Sequence, residues 1–491
     1  MKHFIFLGTL IFLLLFSSVL ATEKPLQNQT VKNWINIAKN TLPEIDQTND
    51  KCLITISSDN LGMLLEKTIT KNGHGIRLIA LVDISSLTLL TPAEPQSLFT
   101  VNLRKEKEDK SGFTLLPLVS DQGWNKIDVT SKDREILLTF TGVSNILGGE
   151  QVRLRLLVQS RQKTGTEKTN TAWYDQSSIS VTWFENAQLL DNLTLESAAL
   201  MPIRLKAFGS KMKGFYPRVS GIVIDQLFHQ DFHWEHRYPS THLSMPWYAV
   251  WNDAEEKSKR IGFYIAAHDV DASFKQQIFH VDTKSSTVGI SSIYQAENCG
   301  QTNSRFTPCK IVLESYQGDW FDAAIMYRDW VRREASWYPR TKISTEGRTD
   351  TPLWIKELAV WMQYWYKIPK FPETFQKFQT PLKVPVGIHC YGWHQIPFDN
   401  DYPHYFPTRK GFKSAVAEIQ KDNKFFVMPY INGRIWDRLD RKNEDWLFTK
   451  EALPGVAKKE DGSCWFERWG GHEADGRKVE FGVMCPASDI W

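Results

Sequence analysis

The sequence lacks an excess of charge of either sign. Among its 491 residues, 59 Lys and Arg stand against 56 Asp and Glu, a net charge of +3 with both signs mixed along the chain. That balance gives no electrostatic attraction to nucleic acid or to an anionic membrane surface. Also missing are a Gly-rich phosphate loop, a nucleophile elbow and a His-Glu-x-x-His motif, which argues against nucleotide, serine-hydrolase and zincin chemistry. No cofactor is expected. The apolar stretch Phe4 to Phe16 is too short to span a bilayer; it follows Lys2 and His3 and leads to small residues at Val19 and Ala21. Residues 1–21 therefore read as a signal peptide and the protein as exported, with no stable membrane insertion expected after cleavage and a retained anchor as the alternative. Cysteine is scarce, six in all. In an exported chain Cys299 and Cys309 form the expected disulfide, because they bracket a polar, turn-rich loop. Cys390 lies within an apolar run and is expected to be a small buried residue.

Tryptophan is what the chain has in quantity. Of 19, nine crowd into the last part: Trp354, Trp361, Trp365, Trp393, Trp436, Trp446, Trp465, Trp469 and Trp491. Aromatic faces stack on the C–H faces of sugar rings, which makes an oligo- or polysaccharide the leading ligand class. Core packing is the competing explanation for such residues.

Residues 22–317 are rich in short β-branched runs separated by Gly, Asn, Asp, Ser and Pro, the pattern of an antiparallel β-sandwich. A helix over Thr30 to Leu42 is expected beside it. Gly318 to Trp337 breaks the pattern: Trp320, Ala324, Tyr327 and Val331 recur at helical spacing after Asp319, a capping residue. With the polar, proline-containing stretch after it, this forms a linker helix and linker over 318–352. Residues 353–491 then alternate strand and helix. Leu358 to Trp365, Val384 to His394 and Phe425 to Asp437 are strand-like runs ending in aromatic and polar residues, with a helical pattern over Gly411 to Gln420. Such alternation predicts a parallel sheet, here the first part of a (β/α)8 TIM barrel. A closed barrel needs about 250 residues, so the chain is expected to be the front part of a longer protein. Phe481 to Trp491 reads as a short apolar run, a proline turn and a helix start.

Active sites of such barrels gather at the strand ends. At the second strand end His389, Tyr391 and Trp393 are expected on one face, with Cys390 and His394 on the other, so a Cys/His metal site does not converge. At the third, Asn432, Arg434 and Trp436 are expected on one face, offering an amide, a guanidinium fork and an aromatic platform for sugar hydroxyls. Asp437 is a candidate acid/base there, or else the partner of Arg434 in an ion pair closing a turn. His268 and Asp269 end a clear strand, either projecting outward or capping a turn. His229, His233 and His236, with Asp231 and Glu235, have spacing reminiscent of metal ligands; no metal site is assigned, and an exposed loop is the default expectation.

The ordered set GFYIAAHD, GDWFDAAIMYRDW with a following A-x-W, WMQYW, YINGRIWD and VMCPASDIW resembles an uncharacterised family of exported, mostly bacterial proteins related to glycoside hydrolases. That family looks like a galactose-mutarotase-like β-sandwich joined to a TIM barrel similar to those of α-galactosidases. The resemblance implies retaining hydrolysis of an α-glycoside by two carboxylates about 5 Å apart. It also implies a nucleophile ending the fourth barrel strand and an acid/base later still, both beyond residue 491, so this chain alone is expected to be inactive. What carries over is a substrate-side lining: Trp365, Trp393, Asn432, Arg434, Trp436 and Asp437, with His268 and Asp269 as an added loop. The alternative from another class is a non-catalytic carbohydrate-binding or surface protein. A third idea is a metal-dependent hydrolase on His229, His233 and His236.

Overall fold

The computed structural model describes residues 44–48, 51–107, 113–143, 152–162, 177–185, 187–189, 193–240, 242–295, 310–340, 343–344, 347–366, 370–422, 424–441, 445–459, 462–486 and 488–489. The expected signal peptide, the helix over Thr30 to Leu42, the Cys299–Cys309 disulfide and Trp491 lie outside these residues. The chain divides into two compact units, Met1–Arg340 and Thr341–Trp491.

In the first unit two antiparallel sheets share one apolar core. The larger runs through Glu44–Thr48, Lys51–Ser57, Leu61–Thr70, Gly73–Asp83, Trp124–Lys132, Glu135–Val143, Arg153–Arg161, Ser178–Trp183, Lys310–Tyr316, Gly262–His268, Trp247–Asn252, Met212–Tyr216 and Ile222–Ile224. The smaller runs through Phe232–Tyr238, Lys275–Asp282, Thr287–Gln295, Leu193–Leu200, Phe99–Glu106 and Phe113–Val119. Alternation along a strand decides which side chains enter the core. In Arg153–Arg161, Leu154, Leu156 and Val158 are buried while the arginines at its ends are exposed. Phe99 of the smaller sheet meets Phe140 of the larger edge to face, ring centroids 5.0 Å apart.

The strand Gly262–His268 is buried throughout, because it has cover on both sides. Phe263, Ile265 and Ala267 face the shared core, whereas Tyr264 and Ala266 face the helix Trp320–Glu334. That helix begins with a capping box, Asp319 accepting from the backbone N–H of Phe321 and Asp322 accepting from that of Asp319. Its buried face is Ala323, Met326, Tyr327, Trp330 and Val331, which includes the expected Tyr327 and Val331 with Ala324 packed beside them, while Trp320 stays partly exposed. The helix packs on the larger sheet and belongs to the first unit. It is not part of a linker.

The second unit opens with a parallel sheet. β1 (Val360–Trp365), β2 (Val386–Tyr391) and β3 (Phe425–Pro429) pair in that order, Val360 opposite Val386 and Val386 opposite Phe425. The helices α1 (Phe371–Leu382) and α2 (Phe412–Ile419) form the crossovers. Phe371, Phe375, Phe412 and Ile419 from the helices pack with Val386, Ile388 and Cys390 from β2. Burial pushes the Cys390 thiol up to about 12, which suits an inert packing residue. On the opposite face of the sheet Trp361, Gln363, Trp365 and Met428 are exposed.

The run Phe425 to Asp437 is not one strand. β3 ends at Pro429, and a separate strand β4 (Ile435–Asp437) joins an antiparallel sheet with β5 (Phe466–His472) and β6 (Lys478–Val483), in the order β4-β6-β5. Phe481, expected to precede a fourth parallel strand, lies within β6 opposite Asp437. Thus three parallel strands are present among the described residues, and a barrel is not shown.

Candidate functional site

The sheet alternation places Trp365 at the end of β1 and His389 and Tyr391 at the end of β2 on the face away from the helices. The loops after β2 and β3 add Phe398 and Tyr430. These rings form a continuous floor. Tyr391 stacks on Tyr430 with centroids 4.5 Å apart and planes 17° apart. Trp365 meets Tyr391 at 5.5 Å and Phe398 at 4.8 Å, both edge to face. His389 lies 4.7 Å from Tyr391, and Phe398 closes the ring set at 5.8 Å from Tyr430. Trp365 is 43% exposed and Phe398 37% exposed. A partly open set of rings held together by stacked and edge-to-face contacts is rigid, because each limits the others' rotamers.

One carboxyl group adjoins this floor. Asp399 follows Phe398 with φ of 56°, in the left-handed region that non-glycine residues seldom adopt. Its carboxylate accepts from the Tyr402 hydroxyl at 3.3 Å and from the backbone N–H of Gly470. Burial raises its carboxyl above the usual carboxylate range, opposed by those two donors. The close approach depends on glycine: a Cβ on Gly471 would lie 1.9 Å from the Asp399 carbonyl oxygen. The β5–β6 hairpin is thereby fastened to the loop that carries Phe398 and Asp399.

The structure distributes the other expected residues differently. Gly392, with φ of 64°, ends the alternation after Tyr391, and Trp393 turns into the core, 4% exposed, donating its indole N–H to the Tyr430 carbonyl at 2.8 Å. Trp393 therefore supports the loop that carries Tyr430 and does not line the floor. Asn432 and Arg434 sit in the turn between β3 and β4, so the expected single face with Trp436 does not form. The Asn432 side-chain oxygen accepts from the Arg434 backbone N–H at 2.9 Å, fixing that turn. Arg434 pairs with Glu467 through two bonds, 3.1 and 2.7 Å. Trp436 packs beside Phe448 and Val456. Asp437 is 2% exposed. It accepts from the backbone N–H groups of Asp401 and Leu439, each at 3.0 Å, and pairs with Arg441 at 2.9 Å. Its expected pairing with Arg434 is replaced by this one, and its carboxylate holds loops together.

His268 and Asp269 are buried in the first unit. His268 meets the Tyr264 hydroxyl at 2.9 Å and stacks on Trp330 at 4.5 Å. Burial, with the nearby Lys310 and Arg161 charges, holds its pKa well below the usual histidine value, so it is neutral at pH 7. Asp269 pairs with the fully buried Lys275 at 2.5 Å. In the strand Phe232–Tyr238, His233 and Glu235 face outward while His236 turns inward to the Tyr216 hydroxyl at 2.8 Å. His233 and His236 therefore do not converge, and no group of three metal-ligating side chains occurs among the described residues. The set of His229, His233 and His236 expected for the metal-dependent idea is thus not brought together. No described helix is long and apolar enough to cross a membrane.

A family model described as "Domain of unknown function (DUF6259)" matches residues 306–491. A Bacteroides thetaiotaomicron protein named "Putative glycoside hydrolase" is 31% identical over 229 residues, 46% of this chain and 32% of that protein. A Monosiga brevicollis protein named "Putative glycoside hydrolase 22789" is 30% identical over 226 residues, 41% of this chain and 18% of that protein. The chain thus spans about a third or less of the length of these curated relatives. Among solved structures, the α-N-acetylgalactosaminidase NagBb from Bifidobacterium bifidum superposes with a TM-score of 0.54 at 10% identity, covering 89% of this chain and 64% of that one. That likeness is one of fold alone.

Proposed function

We propose that this chain is the saccharide-holding part of an exported glycoside hydrolase that acts on α-linked sugars by a retaining, two-carboxylate mechanism. The observation that carries the reading is the aromatic floor of Trp365, Tyr391, Phe398 and Tyr430 at the strand ends of a parallel sheet, with Asp399 beside it. Aromatic rings stack on a sugar's C–H face while a carboxyl orients its hydroxyls, which is how a site binds one face of a pyranose. The names of the two relatives support hydrolysis. The fold likeness to an α-N-acetylgalactosaminidase supports an α-linked N-acetylgalactosamine as the sugar, and the sequence resemblance to α-galactosidases adds galactose as the alternative and a (β/α)8 barrel as the frame of the parallel sheet.

On this reading the cleaving pair lies outside the described residues. Asp437 is committed to Arg441, Glu467 to Arg434, and Glu480 to Arg438 and Arg468. Those commitments also favour a second reading, a carbohydrate-binding protein that holds a glycan without cutting it. Calorimetric titration of the protein with methyl α-galactoside and methyl α-N-acetylgalactosaminide tests what both readings share. Saturable binding that Trp365→Ala weakens at least tenfold supports it, and absence of binding to either sugar overturns it. Both readings expect binding without release from this chain alone, so what separates them is sequence beyond residue 491: a strand-ending Asp there selects the enzyme, and its absence selects the binding protein.

A further inference from the structure

The hairpin fastened to the floor carries a second exposed aromatic group. β5 is an edge strand, and its pairing with β6 is irregular between Arg468 and His472, so the ladder breaks at Trp469, Gly470 and Gly471. Bulged segments of this kind re-aim side chains and are frequent beside binding sites. Trp469 is 42% exposed. Its indole N–H donates to Glu467 Oε2 at 3.2 Å, and the Arg434 guanidinium lies 5.6 Å from its ring centroid. Arg434 in turn donates to both oxygens of Glu467. The three side chains fix one another, so a ligand meets a platform whose ordering cost is already met. A guanidinium has five N–H donors and a carboxylate about four acceptor sites, so both keep capacity for hydroxyl groups after their mutual bonds.

The platform lies beside Asp399, the carboxyl that adjoins the floor: a Cβ on Gly470 would be 3.7 Å from its Oδ2. Gly470, next to Trp469, donates its backbone N–H to Asp399, and Arg434 is close enough to Tyr430 for its charge to act on that hydroxyl. We propose that Trp469, flanked by the Arg434–Glu467 pair, is a second saccharide subsite, so that the protein holds a glycan of at least two sugar rings. The inference rests on the sugar-binding reading above and deepens it: the ligand class becomes an oligosaccharide with an α-linked terminal sugar. The stacked ring supplies affinity. The ion pair reads hydroxyls on the neighbouring sugar, and a bidentate pair of fixed geometry discriminates among their orientations.

The test compares ligands of two lengths. Methyl α-galactoside and methyl α-N-acetylgalactosaminide, which reach one subsite, are titrated alongside trisaccharides ending in the same sugars. The native protein is expected to bind a trisaccharide at least tenfold more tightly than the matching methyl glycoside. Trp469→Ala is expected to erase that advantage while changing methyl glycoside affinity less than twofold. Trp469→Phe, which keeps a flat face and guards against a folding artefact, retains most of the advantage, and Glu467→Gln lowers it partway. Equal affinity of the native protein for both lengths, or an undiminished advantage in Trp469→Ala, overturns the second subsite while leaving the floor in place. Absence of binding to any of the probes overturns both.

Discussion

The sheets of the two units use tryptophan in opposite ways, apart from Trp393, which turns into the core of the second. In the first, Trp124, Trp247 and Trp251 are no more than 2% exposed, and each is a packing element of an antiparallel sheet. In the second, Trp361, Trp365 and Trp469 are 50%, 43% and 42% exposed on or beside a parallel sheet. His268, stacked and buried in the first unit, and His389, half-exposed against Tyr391 in the second, repeat that contrast, whereas His233 and His394 reverse it. A count of aromatic residues thus says little about ligand binding until the faces are known. What separates the units is cover: strand Gly262–His268 has packing on both sides, whereas β1 has helices on one side and an open face on the other.

Breaking packing in the first unit carries the largest expected effect. Trp247 stacks on Phe215 at 4.2 Å, beneath the helix Trp320–Glu334. Trp247→Ala is expected to cost about 3–5 kcal/mol, read as a fall in the thermal or denaturant midpoint. Next comes a buried carboxyl. Glu314 is fully buried, accepting from Ser58 Oγ at 3.1 Å, Ser177 Oγ at 3.2 Å and the Ser315 N–H, and burial raises its carboxyl to about 8. The folded pKa lies above the unfolded value of about 4.3, so the folded state binds the proton more tightly. Its stability contribution is complete below about pH 4 and is lost as pH rises to about 8, at up to ~1.4 kcal/mol per pH unit. Glu314→Gln should flatten that slope, which denaturant midpoints measured between pH 5 and 8 would reveal.

In the second unit the expected stability effects are smaller. Gly471→Ala forces a Cβ against the Asp399 carbonyl and is expected to cost about 1–3 kcal/mol, while also weakening sugar binding because the Asp399 loop must shift. Trp365→Ala is expected to change stability by less than about 0.5 kcal/mol, yet to lose binding at least tenfold. If Trp365→Ala unfolds the protein, the contrast between packed and presented aromatics fails.

Much of the fold is legible in the sequence where a period runs unbroken. The helix Trp320–Glu334 announces itself through Asp319 and its apolar spacing, and the succession β2, α2, β3 through runs bounded by turns, whereas α1 is not expected from the sequence. The candidate site is less legible, because it depends on where a period stops. Gly392, with its left-handed φ of 64°, ends the strand alternation just after Tyr391, which moves Trp393 from the expected lining to the core. Asn432-Gly433 is a turn signal, and reading it so would have separated β3 from β4 and dissolved the expected face of Asn432, Arg434 and Trp436. The ion pairs of Asp437 with Arg441 and Arg434 with Glu467 depend on loop geometry that no local pattern encodes. Asp399 and Phe398 lie in a stretch without periodicity, and only its place just after the second strand marked it as a region to search.

The central claim is that the open aromatic face of the second unit holds a sugar. The most direct measurement is a crystal structure of the protein soaked with methyl α-galactoside or methyl α-N-acetylgalactosaminide. The account predicts a pyranose ring over Trp365, Tyr391, Phe398 and Tyr430, with a hydroxyl within hydrogen-bond distance of the Asp399 carboxylate. A sugar bound away from that floor, or the floor covered by the protein's own chain, would contradict it.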